Sequence, residues 1–170
     1  TDANNCTVAI SVTITEPALL TVTGFVTDVL CNGGNSGAIA TTVSGGTAPY
    51  TFAWSNQSSA QNQNGLTAGT YTVTVTDVKG CTATETFTVN EPPALTASIA
   101  GTDVACFGGN GGSADLTVGG GTPGYTFLWS NGETTEDITN LMAGNYCVTV
   151  TDSNGCTVFE CVDILEPTEI

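Results

Sequence analysis

The sequence predicts an all-β protein made of tandem sandwich modules, and three observations lead to this prediction. Apolar and polar residues alternate through many short segments, which is typical of strands with one buried face. No segment shows the 3.6-residue periodicity of an amphipathic helix. The pattern also repeats, because Cys6, Cys81 and Cys156 are spaced by 75 residues, as are Cys31 and Cys106. A period of this length indicates an array of similar structural units.

The 75-residue period divides the chain into two complete modules and flanking segments. We expect the last strand of a preceding module in residues 1–16, repeat modules at 17–91 and 92–166, and the start of the next junction at 167–170. A Glu-Pro pair ends each unit, at 16–17, 91–92 and 166–167. Proline fixes its own φ and restricts the residue before it, so these pairs predict short, stiff junctions. The expected strand in the leading segment puts one apolar face together, formed by Val8, Ile10, Val12 and Ile14.

Each module begins with an extended apolar stretch, which in the first copy runs from Leu19 to Leu30. The sequence Cys31-Asn-Gly-Gly-Asn-Ser-Gly37 then predicts a turn, because Gly and Asn tolerate positive backbone angles. A second strand follows, with Ile39, Thr41 and Val43 on its inner face. These features place two antiparallel strands and a long turn at the start of every module.

The third strand carries alternating aromatic residues in both copies. This alternation on a central strand favours core packing over a platform for carbohydrate. A Leu-x-x-Gly-x-Tyr pattern follows at 66–71 and at 141–146, and it resembles the tyrosine corner of immunoglobulin-like sandwiches. The last hairpin of each module, of the strands called F and G in that fold, has a Gly-Cys pair in its turn. The predicted core aromatic residues are Tyr50, Phe52, Trp54, Tyr71, Tyr125, Phe127, Trp129 and Tyr146.

The charge balance excludes several classes of function. The chain has 16 acidic residues, one Lys, no Arg and no His, for a net charge of −15. Nucleic acid binding needs Lys and Arg to neutralise phosphates, so we expect no nucleic acid partner. No long apolar run is present, so we expect no direct membrane insertion. A general base near neutral pH is usually His, so we expect no catalytic residues and no enzyme activity.

Seven cysteines in so short a chain indicate disulfides and an oxidising environment. We favour pairing within each module, Cys31 with Cys81 and Cys106 with Cys156, which assigns Cys6 to a partner upstream. An alternative joins Cys31 to Cys156 of the next module. It arises because an immunoglobulin topology puts the end of its first strand and the F–G turn at opposite poles.

The second module has two further cysteines. Cys147 and Cys161 stand where the first module has Thr72 and Thr86, on the outer face of the last hairpin. The two positions are equidistant from the hairpin turn, so they oppose each other across an antiparallel pair. The sequence therefore predicts a disulfide across this hairpin.

Acidic and amide residues cluster in the turns near the cysteines. Calcium favours such oxygen-rich loops, but no Asp-x-Asp-x-Asp-Gly loop is present, so turn-forming Asx residues are the favoured interpretation. Calcium stays an alternative, and no other cofactor is expected. A second, weaker calcium set is Glu16, Glu91 and Glu166. The main candidate ligands are Asp28, Asn32, Asn35, Asp77, Asp103, Asn110 and Asp152.

Taken together, the motifs resemble the SprB-type repeats of giant cell-surface adhesins in Bacteroidetes. They are Cys-x-Gly-Gly-Asn-x-Gly, Val-x-Gly-Gly-Thr, Tyr-Thr-Phe-x-Trp-Ser-Asn, and Ala-Gly-x-Tyr-x-Val-Thr-Val-Thr-Asp-x-x-Gly-Cys-Thr with a following Glu-Pro. The second copy departs from the first in Cys147 and Cys161, and in Phe107 where the first has Asn32. The resemblance implies export by the type IX system and a place in gliding motility adhesins.

The function expected from these observations is a structural or adhesive segment of a large extracellular filament at the cell surface. Its partners would be the neighbouring repeats of the same chain. The alternative is a module that binds polysaccharide or another extracellular surface through variable loops. A shaft predicts two sandwiches placed end to end, with buried tryptophans and no cleft at their junction.

Overall fold

A computed structural model describes residues 1 and 3–169, which contain twelve β-strands and no helix. The strands of the first module are β1 (Thr21–Thr27), β2 (Gly37–Ser44), β3 (Tyr50–Trp54), β4 (Gln63–Leu66), β5 (Gly69–Asp77) and β6 (Thr82–Val89). Those of the second are β7 (Thr96–Thr102), β8 (Gly112–Gly119), β9 (Thr126–Trp129), β10 (Ile138–Leu141), β11 (Gly144–Thr151) and β12 (Thr157–Ile164).

Each module is a sandwich of two three-stranded antiparallel sheets. In the first module the sheet orders are β1-β2-β4 and β3-β5-β6, and the second repeats them as β7-β8-β10 and β9-β11-β12. These orders correspond to strands A-B-E and C-F-G of the immunoglobulin fold. The chain is therefore all-β, with two tandem immunoglobulin-like β-sandwich modules and disulfides.

The core of each module lies between its two sheets. In β5 the side chains of Val73 and Val75 are fully buried, and the threonines between them face outward, because successive side chains of a strand point to opposite faces. Residues of the opposing sheet, such as Val22 and Ile39, belong to the same buried cluster. An equivalent cluster in the second module contains Val148 and Val150.

One strand in each module was not predicted. The stretch before Leu66 is polar in sequence, yet Gln63 and Leu66 are buried and β4 pairs with β2. The ladder is irregular at this point, and Gly65 has a φ of 69°. A four-residue strand with a bulge shows too little alternation to stand out, although Ile138 and Leu141 mark it in the second copy.

The strand expected in residues 6–15 does not form, and the prediction is wrong for the chain as described. These residues lie outside every strand, and Val8, Ile10, Val12 and Ile14 are 79% to 91% exposed. The equivalent residues 81–90 form β6 by pairing with β5. A strand needs a neighbour to accept and donate its backbone hydrogen bonds, and no described strand lies beside residues 6–15.

Candidate functional site at the module junction

The first part of the junction is the turn that carries Cys31, at the end of the first module. The N–H of Gly33 donates to Glu91 Oε2 at 2.6 Å, and Gly33 has a φ of 70°. The side-chain amide of Asn32 donates to the carbonyl of Pro92 at 3.0 Å. Both acceptors belong to the linker between the modules. The Glu-Pro pair therefore holds this turn in place.

The chain before the turn is tied to the same end of the module. The N–H of Val29 donates to the carbonyl of Asn90 at 2.9 Å, and the N–H of Asn90 donates to Asp28 Oδ1 at 2.8 Å. Asn90 directly follows β6, so residues 28–34 lie at the pole where β6 ends. The F–G turn between β5 and β6 is at the other end of that strand.

The second part of the junction is the F–G turn of the second module, at residues 152–156. Asp152 is only 4% exposed and accepts three backbone N–H groups, from Thr122, Asn154 and Cys156, each at 2.9 Å. The Thr122 N–H and the other backbone donors hold the pKa of Asp152 below its ordinary value of 3.8, against the opposing effect of burial. The carboxylate thus organises the turn that carries Cys156.

The two parts meet through a covalent bond and a hydrogen bond. Cys31 and Cys156 form a disulfide with their Cα atoms 5.7 Å apart. The side-chain amide of Asn154 donates to the carbonyl of Leu30 at 2.9 Å. The linker is fixed as well, because the N–H of Gly121 donates to the carbonyl of Pro93 at 2.9 Å. The first module is therefore attached to the F–G pole of the second.

The disulfide corrects the favoured pairing of the sequence analysis, which is wrong. Cys31 is joined to Cys156 and not to Cys81, while Cys81 and Cys106 are exposed thiols. The reason is the separation of the two poles by β6, whose eight residues span about 26 Å. The intermodule alternative that the immunoglobulin topology suggested is the one in the structure.

A cleft lies at the junction, contrary to the expectation that there would be none. It encloses about 400 Å³. No aromatic or charged side chain lines it, and its wall contains the disulfide itself. Sugars are usually held by aromatic faces and paired polar groups, so this lining does not favour a carbohydrate site. The lining residues are Cys31, Asn32, Ala94, Leu95, Gly155, Cys156 and Thr157.

The second disulfide lies on the outer face of the last hairpin. Cys147 and Cys161 are directly opposed in the ladder between β11 and β12, and they are bonded with Cα atoms 4.0 Å apart. These are the positions at which the sequence predicts a bond. In the first module the same positions hold Thr72 and Thr86, whose hydroxyl oxygens are 3.0 Å apart.

The candidate calcium ligands are not gathered into one site. Asp77 accepts backbone N–H groups in the F–G turn, whereas Asp28 lies at the opposite pole of the same module. Glu91 and Glu166 accept the N–H groups of Gly33 and Gly108. Within residues 1 and 3–169, no group of three or more His, Cys, Asp or Glu side chains could hold a metal ion.

The predicted core aromatic residues lie in or against the cores of the two modules. Trp54 and Trp129 are buried, and their indole N–H groups donate to the carbonyls of Ala60 and Thr135. The others are half-buried and pack against the two clusters: Tyr50, Phe52, Tyr71, Tyr125, Phe127 and Tyr146.

The tyrosine hydroxyls tie loops to strands. Tyr71 donates to the carbonyl of Thr67 at 3.0 Å and Tyr146 to that of Met142 at 3.2 Å. Each bond closes the loop that precedes the tyrosine's own strand, which is the arrangement of a tyrosine corner. Phe107, in the second Cys-containing turn, is 52% exposed and does not cover a disulfide.

The part of the chain that the structure describes contains no helix long and apolar enough to cross a membrane.

Solved structures similar to this chain include immunoglobulin-domain proteins. One is the amphioxus IgVJ-C2 molecule, with 18% identity and a TM-score of 0.34 over 70% of this chain and 89% of that one. The N-terminal eight Ig domains of Down Syndrome Cell Adhesion Molecule give 14% identity and a TM-score of 0.43 over 89% of this chain. This chain spans only 25% of that structure.

An S-layer protein is also among the similar structures. The S-layer protein rSbsC(31-844) shows 19% identity and a TM-score of 0.36, over 92% of this chain and 29% of that one. At these scores the likenesses carry no argument about function. No curated protein is significantly similar to the chain.

The SprB repeat family matches the chain twice, at residues 23–59 and 98–134. The two matches are offset by the same 75 residues as the cysteines. Each runs from the first strand of a module, through the Cys-containing turn, to the loop after the aromatic third strand. Two segments of the chain, one in each module, therefore match the SprB repeat.

Proposed function

We propose that this chain is a structural and adhesive segment of a large bacterial cell-surface filament, exported to an oxidising environment and without catalytic activity. The observation that carries the proposal is the Cys31–Cys156 bond, which ties the Cys31 turn of the first module to the F–G turn of the second. Units joined in this way form a linear array, in which adding repeats adds length. The kind of filament that we propose is a gliding motility adhesin.

The charge of the chain fits this role. A net charge of −15 makes copies of the chain repel one another and keeps a long filament soluble. The hydrogen-bonded linker adds to the effect of the disulfide, because Glu91, Pro92 and Pro93 all contact one of the two modules they connect. The partners of each repeat are thus the repeats beside it in the same chain.

Small-angle X-ray scattering tests the proposal on a four-module chain, made of residues 1–166 followed by a second copy of residues 17–166. A linear array predicts that the maximum dimension exceeds that of the two-module chain by about 66 Å, at roughly 33 Å per module. An increase of only about a quarter, as for a compact globule of doubled volume, would contradict it. The isolated two-module chain is the matched control.

A second function, binding of polysaccharide or another extracellular surface, is favoured by one feature of the second module. On the outer face of its β9-β11-β12 sheet, Leu128 and Phe159 flank Thr149 in one row of the ladder. Leu128 is 60% exposed and Phe159 is 63% exposed. The first module has Ala53 and Thr84 at these positions. Only one of the two repeats therefore carries this apolar row.

Binding to insoluble polysaccharides tests the second function directly. The chain and the variant Leu128→Ala with Phe159→Thr, which gives the second module the residues of the first, are compared in pull-down assays. A loss of binding in the variant, with an unchanged melting temperature, supports adhesion through this row. Equal recovery of both proteins would exclude this row as the adhesion site.

A further inference from the structure

The intermodule disulfide uses only one pair of the repeated cysteines. Cys31 and Cys156 are bonded, and the 75-residue period makes Cys106 equivalent to Cys31 and Cys81 equivalent to Cys156. Both equivalents are exposed thiols. Each module thus presents one half of the same junction at an end that has no partner among the described residues.

The turn that carries Cys106 is fixed by hydrogen bonds equivalent to those of the turn that carries the bonded Cys31. The N–H of Gly108 donates to Glu166 Oε2 at 2.7 Å, matching the bond from Gly33 to Glu91. The N–H of Gly109 donates to the carbonyl of Cys106 at 3.0 Å, as Gly34 does to Cys31 at 2.9 Å. The sulfur at position 106 is therefore presented by a turn that is already formed.

The turn of Cys81 is formed in the same way as that of Cys156. Asp77 accepts the N–H groups of Thr47, Lys79 and Cys81, each at 2.9 Å. The N–H of Gly46 donates to the carbonyl of Ala18 at 2.7 Å, which fixes the entering chain as the bond from Gly121 to Pro93 does.

A cleft beside Cys81 resembles the cleft at the observed junction. It encloses about 260 Å³ and is lined in part by Leu19, Leu20, Cys81 and Thr82. Their equivalents, Ala94, Leu95, Cys156 and Thr157, line the cleft at the observed junction, where Cys31 and Asn32 of the first module form the opposite wall. The cleft at Cys81 therefore has the downstream wall of a junction, with residues 16–18 in place of the upstream turn.

We infer that Cys81 and Cys106 are the sites at which further repeats of this kind are covalently locked to the chain. The inference rests on the proposed function, since it takes the chain as part of a longer repeat array. Cys106 bonds the F–G cysteine of the following repeat, and Cys81 bonds the turn cysteine of the preceding one. Every repeat is then joined to both neighbours, and the array is held by one continuous series of disulfides.

The chemistry of each bond is a two-electron oxidation. Two thiols lose two protons and two electrons, and a disulfide oxidant such as oxidised glutathione takes them up and becomes two thiols. The result is one S–S bond for each junction. An extracellular environment supplies such an oxidant, whereas a reducing one would leave the repeats joined only by their linkers.

Three side-chain differences fit the junction that these cysteines would make. Phe107, 52% exposed, stands at the position of Asn32, and Leu19, 82% exposed, stands at that of Ala94. In the observed junction those two positions line the same cleft. When Cys106 of one pair of modules meets Cys81 of the next, a phenylalanine would therefore face a leucine. Lys79 stands at the position of Asn154, which donates to the carbonyl of Leu30 in the observed junction, so Lys79 would be the donor toward the upstream turn.

The test uses the four-module chain with Cys81→Ser in its first copy and Cys106→Ser in its second. One candidate pair then remains, Cys106 of the first copy and Cys81 of the second. After thiol blocking and digestion before Asp residues, these cysteines lie in the peptides 103–114 and 77–102. We expect the two peptides to be recovered as one species that separates on reduction.

Two further variants sharpen the result. Cys106→Ser in the first copy as well should release one additional titratable thiol, that of Cys81 in the second copy. The matched control, Cys147→Thr with Cys161→Thr in the first copy, removes a disulfide elsewhere and should leave the cross-linked peptides unchanged. Circular dichroism checks that every variant is folded.

Recovery of both candidate cysteines as blocked thiols in the folded, oxidised chain would overturn the inference. The scattering measurement on the same sample is independent of this result. An extended chain with both thiols free would be consistent with the proposed function and would contradict only the inferred disulfides. A compact chain would instead contradict the proposed function, whatever the mapping shows.

Discussion

At the scale of single residues, the structure depends on carboxylates that accept backbone N–H groups. Asp77 and Asp152 do this in the F–G turns, and Glu91 and Glu166 do it in the turns that carry cysteines. A carboxylate hydrogen-bonded in this way is stabilised in its charged form. These four carboxylates, which are also candidate calcium ligands in the sequence, therefore have a structural role in the protein.

This arrangement predicts a loss of stability in acid. For Asp77, burial raises the pKa but the backbone hydrogen bonds from Thr47, Cys81 and Lys79 outweigh it, so its pKa, like that of Asp152, lies below 3.8. A depressed pKa in the folded state contributes stability above the unfolded value of about 3.8. That stability is lost as the pH falls through the folded value.

Urea unfolding between pH 7 and pH 2 measures the effect. We expect the unfolding free energy to fall below pH 3.8, and the double variant Asp77→Asn with Asp152→Asn to be less stable at pH 7 and less dependent on pH. Glu85→Gln, at an exposed position of β6, is the control and should behave like the parent. A double variant with the full acid sensitivity of the parent would exclude these two carboxylates as its cause.

At the scale of strands, the two modules have different side chains where the first strand packs against the last. In the first, Gly24 of β1 lies against Phe87 of β6, and a Cβ at Gly24 would be 2.9 Å from the ring. In the second, the equivalent residues are Ile99 and Val162, and both pack against the core. The second module therefore has a larger residue at the position of Gly24 and a smaller one at the position of Phe87.

The exchange predicts a compensating pair of substitutions. Gly24→Ile alone should destabilise the first module by about 1–3 kcal/mol, because its Cβ would lie 2.8 Å from the carbonyl oxygen of Ala40 and 2.9 Å from the ring of Phe87. Adding Phe87→Val should restore the part of this loss that the ring causes, by reproducing the pair of the second module. Thermal unfolding of the two single variants and the double variant measures the coupling. Additive losses would show that the two positions do not share one space.

The hairpin disulfide is a second element that differs between the modules. Cys147→Thr with Cys161→Thr gives β11 and β12 the residues of the first module, where Thr72 and Thr86 lie in hydroxyl contact. The bond closes a loop with a sequence separation of 14, and the chain-entropy model gives about 3 kcal/mol for such a loop. Urea unfolding of this variant should show a loss of that order. An unchanged midpoint would mean that the bond adds no stability.

The strands were predictable from the sequence to the extent that alternation marked them. The valines of β5 and β11 and the aromatic residues of β3 and β9 lie inward as their two-residue period indicates. The short strand β4 was not predictable, because its four residues contain a glycine with positive φ and give no alternation. Residues 6–15 do alternate, yet they form no strand without a neighbour.

At the scale of the whole molecule, the junction depends on which poles the topology brings together. The spacing of 50 residues is the same from Cys31 to Cys81 as from Cys106 to Cys156, so spacing alone favoured bonds within each module. The folded structure instead has a bond between modules. This is because β6 separates the two turns of one module, while the linker brings turns of adjacent modules together. Sequence periodicity identifies the repeated cysteines but not the partner of each.

The intermodule bond also determines how the two repeats respond to reduction. It spans a sequence separation of 125, for which the chain-entropy model gives about 5 kcal/mol relative to the unfolded chain. Each module keeps its own core cluster, so reduction should free the modules to move relative to each other without unfolding them.

Peptide mapping of the oxidised chain tests the junction most directly. Cleavage before Asp residues in the denatured, thiol-blocked protein places Cys31 in the peptide 28–76, Cys147 in 137–151, and Cys156 with Cys161 in 152–162. The Cys31–Cys156 and Cys147–Cys161 bonds predict one species in which these three peptides are joined by two disulfides. Recovery of 28–76 bonded to 77–102, and of 103–114 bonded to 152–162, would show bonds within modules and contradict it.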